Sequence, residues 1–416
     1  MSSTGITDGP REPGSRWPTH AILRAKATHL AVATVLGLAG CAVTVEVAIH
    51  EMRIHASEQG SAVSNIVRDR WGNQRATQIE QILFAYDATF VSAAYWAEQV
   101  FEERAAPAPE AIDTHPRDET AERPAAMSPR QLVLLDIAPL HANPLPDEGY
   151  WTTLGLPNPS PSDVVMAQAH VHPSAALPRA TVHVLLFDKT RIALHMVGGT
   201  KSPGGDRGVV GPGAIAEGDV PRLVAAWNGG FQGTHAPDYG MYADGQQYRT
   251  CNVGLASIVA FRDGRIQIGQ WGRDFDRITD EMLAVRQNSV LLVDGGKISP
   301  IINESAVFGL VNIGDTVHFI TWRSAIGLTE SGDLLVATGD YINQADMARS
   351  MQAAGAKYAM LLDNNLPYVQ TVLAHHDPDG TLQLSNTRSF MSASPNRFLT
   401  GRYAYDFMYL TAAPTP

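Results

Sequence analysis

Three polar groups follow apolar runs of the sequence, and their residue types suit acid–base chemistry and anion binding. Asp363 ends the run YAMLL, Arg323 follows TVHFITW, and Asn228 follows RLVAAW. A carboxyl group can transfer a proton or attack an electrophilic carbon, whereas a guanidinium offers paired donors to an oxyanion. The backbone of Asn228-Gly229-Gly230 could donate hydrogen bonds to an oxyanion or a hydroxyl group. Ends of strands are positions at which such groups are often presented.

Each of these groups also has an ordinary structural interpretation. Asp363-Asn364 after a strand can cap a turn, and Arg323 can end a strand with its charge reaching water. Asn228-Gly229-Gly230 can form a tight turn, and Asp294-Gly295 is a common hairpin turn. The residue types alone leave both interpretations open.

Two histidine-containing groups are candidates for metal binding. His170-x-His172 could place two imidazoles on one face of a strand, and His375-His376-Asp377 has the residue types of metal ligands. The spacing marks no third ligand for either group. The sequence therefore predicts no metal and no cofactor.

The elements that must position these residues are short β-strands separated by turns. Residues 181–187 and 191–197 flank Asp188-Lys189 and predict one hairpin, and residues 257–261 and RIQIGQW predict another around Arg262-Asp263-Gly264. Further strands are predicted at 222–227, 289–293, 316–322 and 334–339.

One helix is clearly marked. Asn343 can cap it, Asp346 lies in its first turn and Gly355 ends it. It joins LLVATG (334–339) to YAMLL (358–362) as a β-α-β unit with a right-handed crossover. Many strands and few helices predict an α+β domain built on a mixed β-sheet.

Five segments, in order, resemble the phosphodiester glycosidase family. They are AAWNGGF (225–231), YGMYADGQ (239–246), LLVDGGKI (291–298), WRSAIGL (322–328) and AMLLDNN (359–365). The resemblance covers about 180–410 and implies a hydrolase that releases a sugar from a sugar phosphodiester on an envelope or exported polysaccharide.

The resemblance also implies roles for individual residues. Asp363 would be the carboxyl catalyst or a sugar ligand, Arg323 would bind the phosphate, and Asn228 would be a catalytic donor. The implied substrate-binding residues are Gly229, Gly230, Phe231, Asp294, Gly295, Ser324, Asp340 and Asn364.

The chain departs from the family after Asp363. The family typically runs Leu-Asp-Gly-Gly-Gly-Ser, whereas this chain has Leu362-Asp363-Asn364-Asn365-Leu366-Pro367. Glycine lets backbone approach a ligand closely, and these replacements carry side chains. The alternative hypothesis is a non-catalytic module of the same fold that binds carbohydrate phosphates or serves a structural purpose.

The N-terminal part predicts attachment to a membrane. Residues 1–28 are a basic cytoplasmic tail, and 29–49 are apolar, which predicts a signal anchor with the main domain periplasmic or extracellular. Leu38-Ala39-Gly40-Cys41 resembles a lipoprotein signal, which is a second interpretation. A buried helix of a soluble protein is the third.

Three further segments follow. Residues 50–104 have helical periodicity and predict a stalk, 105–149 are rich in Pro and Ala and predict a linker, and 150–416 form the phosphodiester glycosidase-like domain. The chain has 31 Lys and Arg against 42 Asp and Glu, a net charge of −11. This balance argues against a nucleic-acid partner.

Overall fold

The computed structural model describes residues 132–413, with gaps at 143, 155–165, 176–179, 205–207, 234–235, 237, 304–319, 365–367, 390 and 392. The chain divides into two units, Met1–Glu51 and Met52–Pro416, and all described residues belong to the second. The predicted tail, anchor or lipoprotein signal, stalk and first part of the linker lie outside the described residues. Among those described, no helix is long and apolar enough to span a membrane.

An eight-stranded sheet forms the largest element of the described chain. Its order in space is β1 (Thr152–Leu154), β2 (Met166–Val171), β3 (Thr181–Phe187), β14 (Leu334–Ile342), β13 (Thr321–Thr329), β15 (Ala356–Asn364), β11 (Leu291–Asp294) and β12 (Lys297–Ile298). The central strands are almost wholly buried, which is typical of a sheet covered on both faces.

Two five-stranded sheets accompany the large one. The first has the order β17 (Leu382–Asn386), β16 (Thr371–His376), β5 (Leu223–Asn228), β18 (Phe407–Ala412) and β4 (Ile192–Val197). The second has the order β7 (Gln246–Arg249), β6 (Met241–Ala243), β10 (Met282–Gln287), β8 (Ala256–Phe261) and β9 (Ile266–Gln270).

Helix α1 (Gln344–Ala353) begins and ends as the sequence predicts. The side chain of Asn343 accepts from the backbone N–H of Asp346, whose carboxylate accepts from the N–H of Asn343, so the two form a capping box. Gly355 follows the helix with φ +88°. Two 3-10 helices, Glu217–Arg222 and Pro395–Leu399, are also present.

The prediction of a mostly β domain with few helices is confirmed. Strands β14 and β15, which α1 joins, run parallel to each other because each pairs antiparallel with β13 between them. All ladders between the described strands are antiparallel. Every hydrogen-bonded pair of the eight-stranded sheet is therefore antiparallel, and α1 connects two parallel strands that lie on either side of β13.

The two hairpin predictions have different outcomes. Strands β8 and β9 pair as expected. The hairpin at 181–197 is wrong, because β3 pairs with β2 and β14 while β4 pairs with β18 in another sheet. The turn itself exists, since Arg191 N–H donates to the Asp188 carbonyl. It carries the chain from one sheet to another.

Two apolar clusters cover the two faces of the large sheet. Ala325 and Leu361 pack with Met347 of α1 on one face. Ile326 packs on the other face with Trp227 of β5. Leu132 and Ile137 belong to the first cluster, so the described end of the predicted linker packs on the sheet.

Candidate active site

Asn228, at the end of β5, is the centre of a buried hydrogen-bond network that joins two sheets. Its side-chain nitrogen donates to Ser324 Oγ on β13 (2.8 Å), and Ser324 Oγ donates to the carbonyl of Asp363 on β15 (2.7 Å). The side-chain oxygen of Asn228 accepts from the N–H of Gln370 (3.1 Å). The structure therefore brings Asn228, Ser324 and Asp363 together at one junction of the large sheet with a small one.

A β-bulge near the end of β15 determines the direction of Asp363. Arg323 lies opposite Asn364, and Ala325 lies opposite Leu361, so two steps along β13 match three along β15. The extra residue interrupts the strict alternation of side chains between the two faces. Asp363 thereby turns away from α1, although alternation from Leu361 would have placed it on the helix side.

Asn288 holds this bulge in place. Its side-chain nitrogen donates to the carbonyls of Leu361 and Leu362 at 2.8 and 3.1 Å, and its side-chain oxygen accepts from the N–H of Phe231 at 3.0 Å. One buried amide therefore satisfies carbonyls at the bulge and fixes the chain after Gly230.

The carboxyl group of Asp363 is 8% exposed. Burial raises its pKa well above the ordinary aspartate value, and the charge of Asp406 adds to the rise. A hydrogen bond from the N–H of Asn364 and the charges of Arg286 and Arg397 lower the pKa without cancelling the effect of burial. The site therefore favours the neutral acid, which can donate a proton.

A buried ion pair, Arg286–Asp406, lies next to Asp363 and the Asn228-Gly229-Gly230 segment. Arg286 Nε donates to Asp406 Oδ2 (2.8 Å) and Arg286 Nη2 donates to Asp406 Oδ1 (3.1 Å). The two side chains are 1% and 2% exposed. Arg286 also donates to the carbonyls of Gln287 (2.7 Å) and Phe231 (2.8 Å). The opposite charge and the two hydrogen bonds of Arg286 stabilise the carboxylate of Asp406 inside the protein.

The N–H groups of Gly229 and Gly230 both donate to Asp406. The N–H of Gly229 donates to the Asp406 carbonyl (2.9 Å), and the N–H of Gly230 donates to Asp406 Oδ2 (3.0 Å). The side-chain nitrogen of Asn228 is likewise occupied, by Ser324 and by the Gly229 carbonyl. The interpretation of these groups as oxyanion or hydroxyl donors is therefore replaced by a structural one: they anchor Asp406 and Asp363.

Gly229→Ala should destabilise the protein by about 1–3 kcal/mol or more, since overpacking of a dense core costs that much. A Cβ at this position would lie 1.9 Å from Asp406 Oδ2. Denaturant unfolding of the variant measures the effect. Gly218→Ala is the matched control, because a Cβ there meets nothing within 4 Å. Equal stability of the two variants would contradict the close packing of Gly229 on Asp406.

The side chain of Arg323 is directed away from that of Asp363, although Arg323 pairs with Asn364 in the ladder. Its Nε donates to the carbonyl of Ile342 (3.3 Å), and its charge interacts with Asp346 of α1. Burial lowers the pKa of Arg323 to about 10, so the guanidinium stays charged at neutral pH. The side chain of Arg323 is directed toward Ile342 and Asp346, whereas that of Asp363 is directed toward Asp406, Arg286 and Arg397, so the structure does not bring the two side chains into one site.

Asp294 and Gly295 lie in the hairpin of β11 and β12, away from Asp363. Val293 is opposite Ala359, which is about 13 Å along β15 from Asp363 at the usual rise per residue. Asp294 makes a bidentate, half-exposed ion pair with Arg273. The structural interpretation as a hairpin turn applies to both residues.

The other predicted substrate-binding residues have separate surroundings. Asp340 accepts from Thr181 Oγ1 (3.0 Å) and lies 3.5 Å from Arg388, and burial raises its pKa. Phe231 is buried and stacks on Tyr239. Asn364 lies opposite Arg323 in the β13–β15 ladder, and its N–H donates to the carboxylate oxygen Oδ1 of Asp363.

The histidine candidates give no metal site. His170 Nε2 lies 3.1 Å from the Pro146 carbonyl, and His375 lies beside Asp377 on the surface. In the described part of the chain, no three His, Cys, Asp or Glu side chains are grouped so that they could hold a metal ion.

Three residues of the site were missed by the sequence analysis: Arg286, Asp406 and Arg397. Asp406 stands just before the apolar run FMYL, so it marks the start of a strand as Asp363 marks the end of one. Arg286 is a lone charge inside an apolar strand, which is a signal for a buried ion pair. Arg397 has no comparable signal, because a 3-10 helix and tertiary packing place it near Asp363.

These features define a mostly β protein with a buried carboxyl site at a sheet junction. Residues 221–363 match the phosphodiester glycosidase family, which confirms the resemblance to that family over this segment. The matched segment contains Asn228, Arg286 and Asp363 but ends before Arg397 and Asp406.

Two solved structures are similar to the chain. The catalytic domain of zebrafish N-acetylglucosamine-1-phosphodiester alpha-N-acetylglucosaminidase, auto-inhibited by its pro-peptide, is 19% identical, with 64% of this chain and 88% of that chain covered and a TM-score of 0.41. A hypothetical protein from Synechocystis is 13% identical, with 60% and 63% covered and a TM-score of 0.35. At these TM-scores the two structures carry no argument about the site. No curated protein sequence matches the chain.

Proposed function

We propose that the protein is a hydrolase that releases a sugar from a sugar phosphodiester. The observation that carries this proposal is the buried carboxyl group of Asp363, with its raised pKa, at the end of the family-matched segment. Perturbed carboxyl groups of this kind are typical of catalytic acids. The positive charge of Arg397 near Asp363 suits an anionic substrate.

In the proposed reaction, water attacks the anomeric carbon of the sugar. The bond from this carbon to the phosphate oxygen breaks, and the electron pair stays on the phosphate. Asp363 donates its proton to that oxygen, and the proton lost by the attacking water restores the acid. The products are a free sugar and a phosphomonoester. Phosphate is a good leaving group, so transfer of one proton suffices.

The substrate and location belong to the same proposal. An envelope or exported polysaccharide with phosphodiester-linked sugars fits a main domain that is periplasmic or extracellular. Attachment to the membrane through 29–49 is supported by the basic residues before this apolar segment. The acidic net charge supports a substrate other than nucleic acid.

A second candidate is a module that binds carbohydrate phosphates without cleaving them. It is favoured by Asn364-Asn365 in place of the glycines of the family and by the internal hydrogen bonds of Asn228, Gly229 and Gly230. In this case Asp363 would be a neutral hydrogen-bond donor to a bound sugar.

A product assay separates the candidates. The full chain is incubated with methyl phosphodiesters of glucose, mannose, galactose and N-acetylglucosamine 1-phosphate, each in both anomeric forms. Hydrolysis should give free sugar and methyl phosphate, which proton and phosphorus NMR identify. Methanol and sugar 1-phosphate would indicate cleavage on the other side of phosphorus and would contradict the proposal. Binding of these compounds without any product would support the second candidate.

A further inference from the structure

Three tyrosines form a connected group of rings beside Asp363. The rings of Tyr368 and Tyr405 are 5.1 Å apart, and those of Tyr405 and Tyr403 are 5.7 Å apart, both in edge-to-face geometry. All three residues are partly exposed, and the phenol group of Tyr403 is the most deeply buried. We call Tyr368, Tyr403 and Tyr405 the tyrosine wall.

Arg397 joins the wall to the charged part of the site. Its guanidinium carbon lies 4.7 Å from the centre of the Tyr403 ring, and its Nη2 donates to the Tyr368 carbonyl at 3.2 Å. A cation over an aromatic face is attracted by the ring and is held in a defined direction. Asp363, Tyr403 and Tyr405 are the titratable neighbours that raise the pKa of Arg397, against the larger effect of burial, which lowers it.

The backbone of the wall is held by a neighbouring loop. Thr200 N–H donates to the Tyr403 carbonyl (2.9 Å), Tyr403 N–H donates to the Gly213 carbonyl (3.0 Å), and Ser202 N–H donates to the Ala404 carbonyl (2.8 Å). These bonds fix the segment before the rings meet a ligand. A prearranged aromatic surface binds with a smaller loss of conformational entropy.

The charged groups beside the tyrosine wall favour the binding of an anion. Asp406 is neutralised by Arg286 in the buried pair. Burial raises the pKa of Asp363 and favours its neutral form, and the guanidinium of Arg397 lies near this carboxyl group. A protein with a net charge of −11 thus places an arginine beside an aromatic wall.

The phenol groups of the wall stay neutral. Burial raises the pKa of Tyr403 to about 12 and also raises that of Tyr405. Neutral phenols donate and accept hydrogen bonds, and their rings cover apolar C–H surface. A pyranose ring presents both kinds of surface, because one face carries C–H groups and the rim carries hydroxyl groups.

We infer that the tyrosine wall and Arg397 form the subsite that holds a sugar phosphate, with the sugar against the rings of Tyr368 and Tyr405 and the phosphate toward Arg397. This inference deepens the proposed function, because it names the residues that recognise both parts of the substrate. Arg397 takes the phosphate-binding role that the sequence analysis gave to Arg323. Tyr403 is the inner ring and positions Arg397.

Binding of sugar 1-phosphates tests the subsite without any need for turnover. Glucose, mannose and N-acetylglucosamine 1-phosphates, with the matching free sugars, are titrated into the full chain by calorimetry. Tyr405→Ala should weaken binding of the preferred sugar phosphate by about threefold to tenfold, whereas Tyr405→Phe, which keeps the ring, should weaken it less. Tyr150→Ala, on an exposed ring just before β1, is the control and should bind as the wild type does.

Variants of Arg397 distinguish recognition of the phosphate from recognition of the sugar. Arg397→Gln should weaken binding of the sugar phosphate by about tenfold or more while it changes binding of the free sugar much less. Arg397→Lys keeps the charge and covers the case in which the glutamine variant does not fold. It should retain part of the preference for the phosphate.

The subsite and the proposed reaction can fail independently. Sugar phosphate binding that Tyr405→Ala and Arg397→Gln leave unchanged would overturn the subsite, even if the protein releases sugar from phosphodiesters. A wild type that binds none of the sugar phosphates would overturn it as well. Binding with the expected losses, but without release of sugar from any phosphodiester, would support the subsite and overturn hydrolysis.

Discussion

Asp363→Asn should lower the rate of sugar release from a sugar phosphodiester by about a hundredfold to ten-thousandfold, the usual contribution of a positioned general acid. Asparagine has almost the same volume but has no acidic proton. The carboxyl group lies at a junction fixed by Ser324 and Asn288, so the substitution should leave the backbone in place. Single-turnover kinetics with the preferred phosphodiester measures the effect.

Asp263→Asn is the matched control for this experiment. Asp263 lies in the exposed turn between β8 and β9 and contacts only the nearby Arg265 among the charged groups on that turn. Its variant should keep the rate of the wild type. A rate of Asp363→Asn within about threefold of the wild type would remove Asp363 from the role of general acid, which normally contributes a hundredfold or more.

The stability of Asp363→Asn provides a second and independent readout. The folded-state pKa of Asp363 is raised above its unfolded value, so its contribution to stability is complete below the ordinary aspartate pKa of about 4. This contribution is lost as pH rises through the folded pKa. The carboxyl group then ionises, and a buried carboxylate is less favourable than one exposed in the unfolded chain. The asparagine variant has no such loss, and its melting temperature should exceed that of the wild type increasingly as pH rises. A difference that does not change with pH would contradict the raised pKa.

The sequence was informative about where the site lies because apolar runs end where buried strands end. Asn228 and Asp363 were both chosen on this pattern, and the structure joins them through Ser324. A search for polar residues just before apolar runs, and not only after them, would also have found Asp406, which precedes FMYL. The helix boundaries were predictable for a similar reason, since capping depends on local contacts between Asn343 and Asp346.

The directions of side chains could not be predicted from these patterns. Whether Asp363 faces α1 or the small sheets depends on one extra residue in β15, and the bulge is stabilised by Asn288, more than 70 residues away. Arg323 was assigned to the site because it ends an apolar run, but alternation places it on the helix side. The pairing of β3 and β4 with different sheets is also a tertiary effect, because the turn at Asp188 suits either connection.

The second large effect concerns the Arg286–Asp406 pair. Asp406→Asn should lower the free energy of unfolding by about 3–5 kcal/mol, since removal of one partner leaves a charge buried without compensation. Arg286 would keep its bonds to the carbonyls of Gln287 and Phe231 but would lose the opposite charge. Denaturant unfolding with intrinsic fluorescence measures this change.

Asp294→Asn provides the matched comparison for this pair. Asp294 also makes a bidentate bond to an arginine, Arg273, but the two side chains are 38% and 44% exposed. Exposed pairs contribute about 1 kcal/mol or less. The same chemical change should therefore cost several times more at Asp406 than at Asp294, and burial is the variable that differs.

A double variant distinguishes the charge from the fit of the side chains. If the cost of Asp406→Asn comes from an uncompensated Arg286, then Arg286→Met in the Asp406→Asn background should recover part of the lost stability, because the orphaned charge is gone. The N–H of Gly230 can still donate to the asparagine oxygen, so the loop at Asn228 keeps one of its anchors. If the double variant is less stable than either single variant, the pair acts mainly through its side-chain hydrogen bonds to the Gly230 N–H and the Phe231 carbonyl. The ion pair would then be a scaffold for the loop, and the neutral form of Asp363 would depend on burial more than on the charge of Asp406.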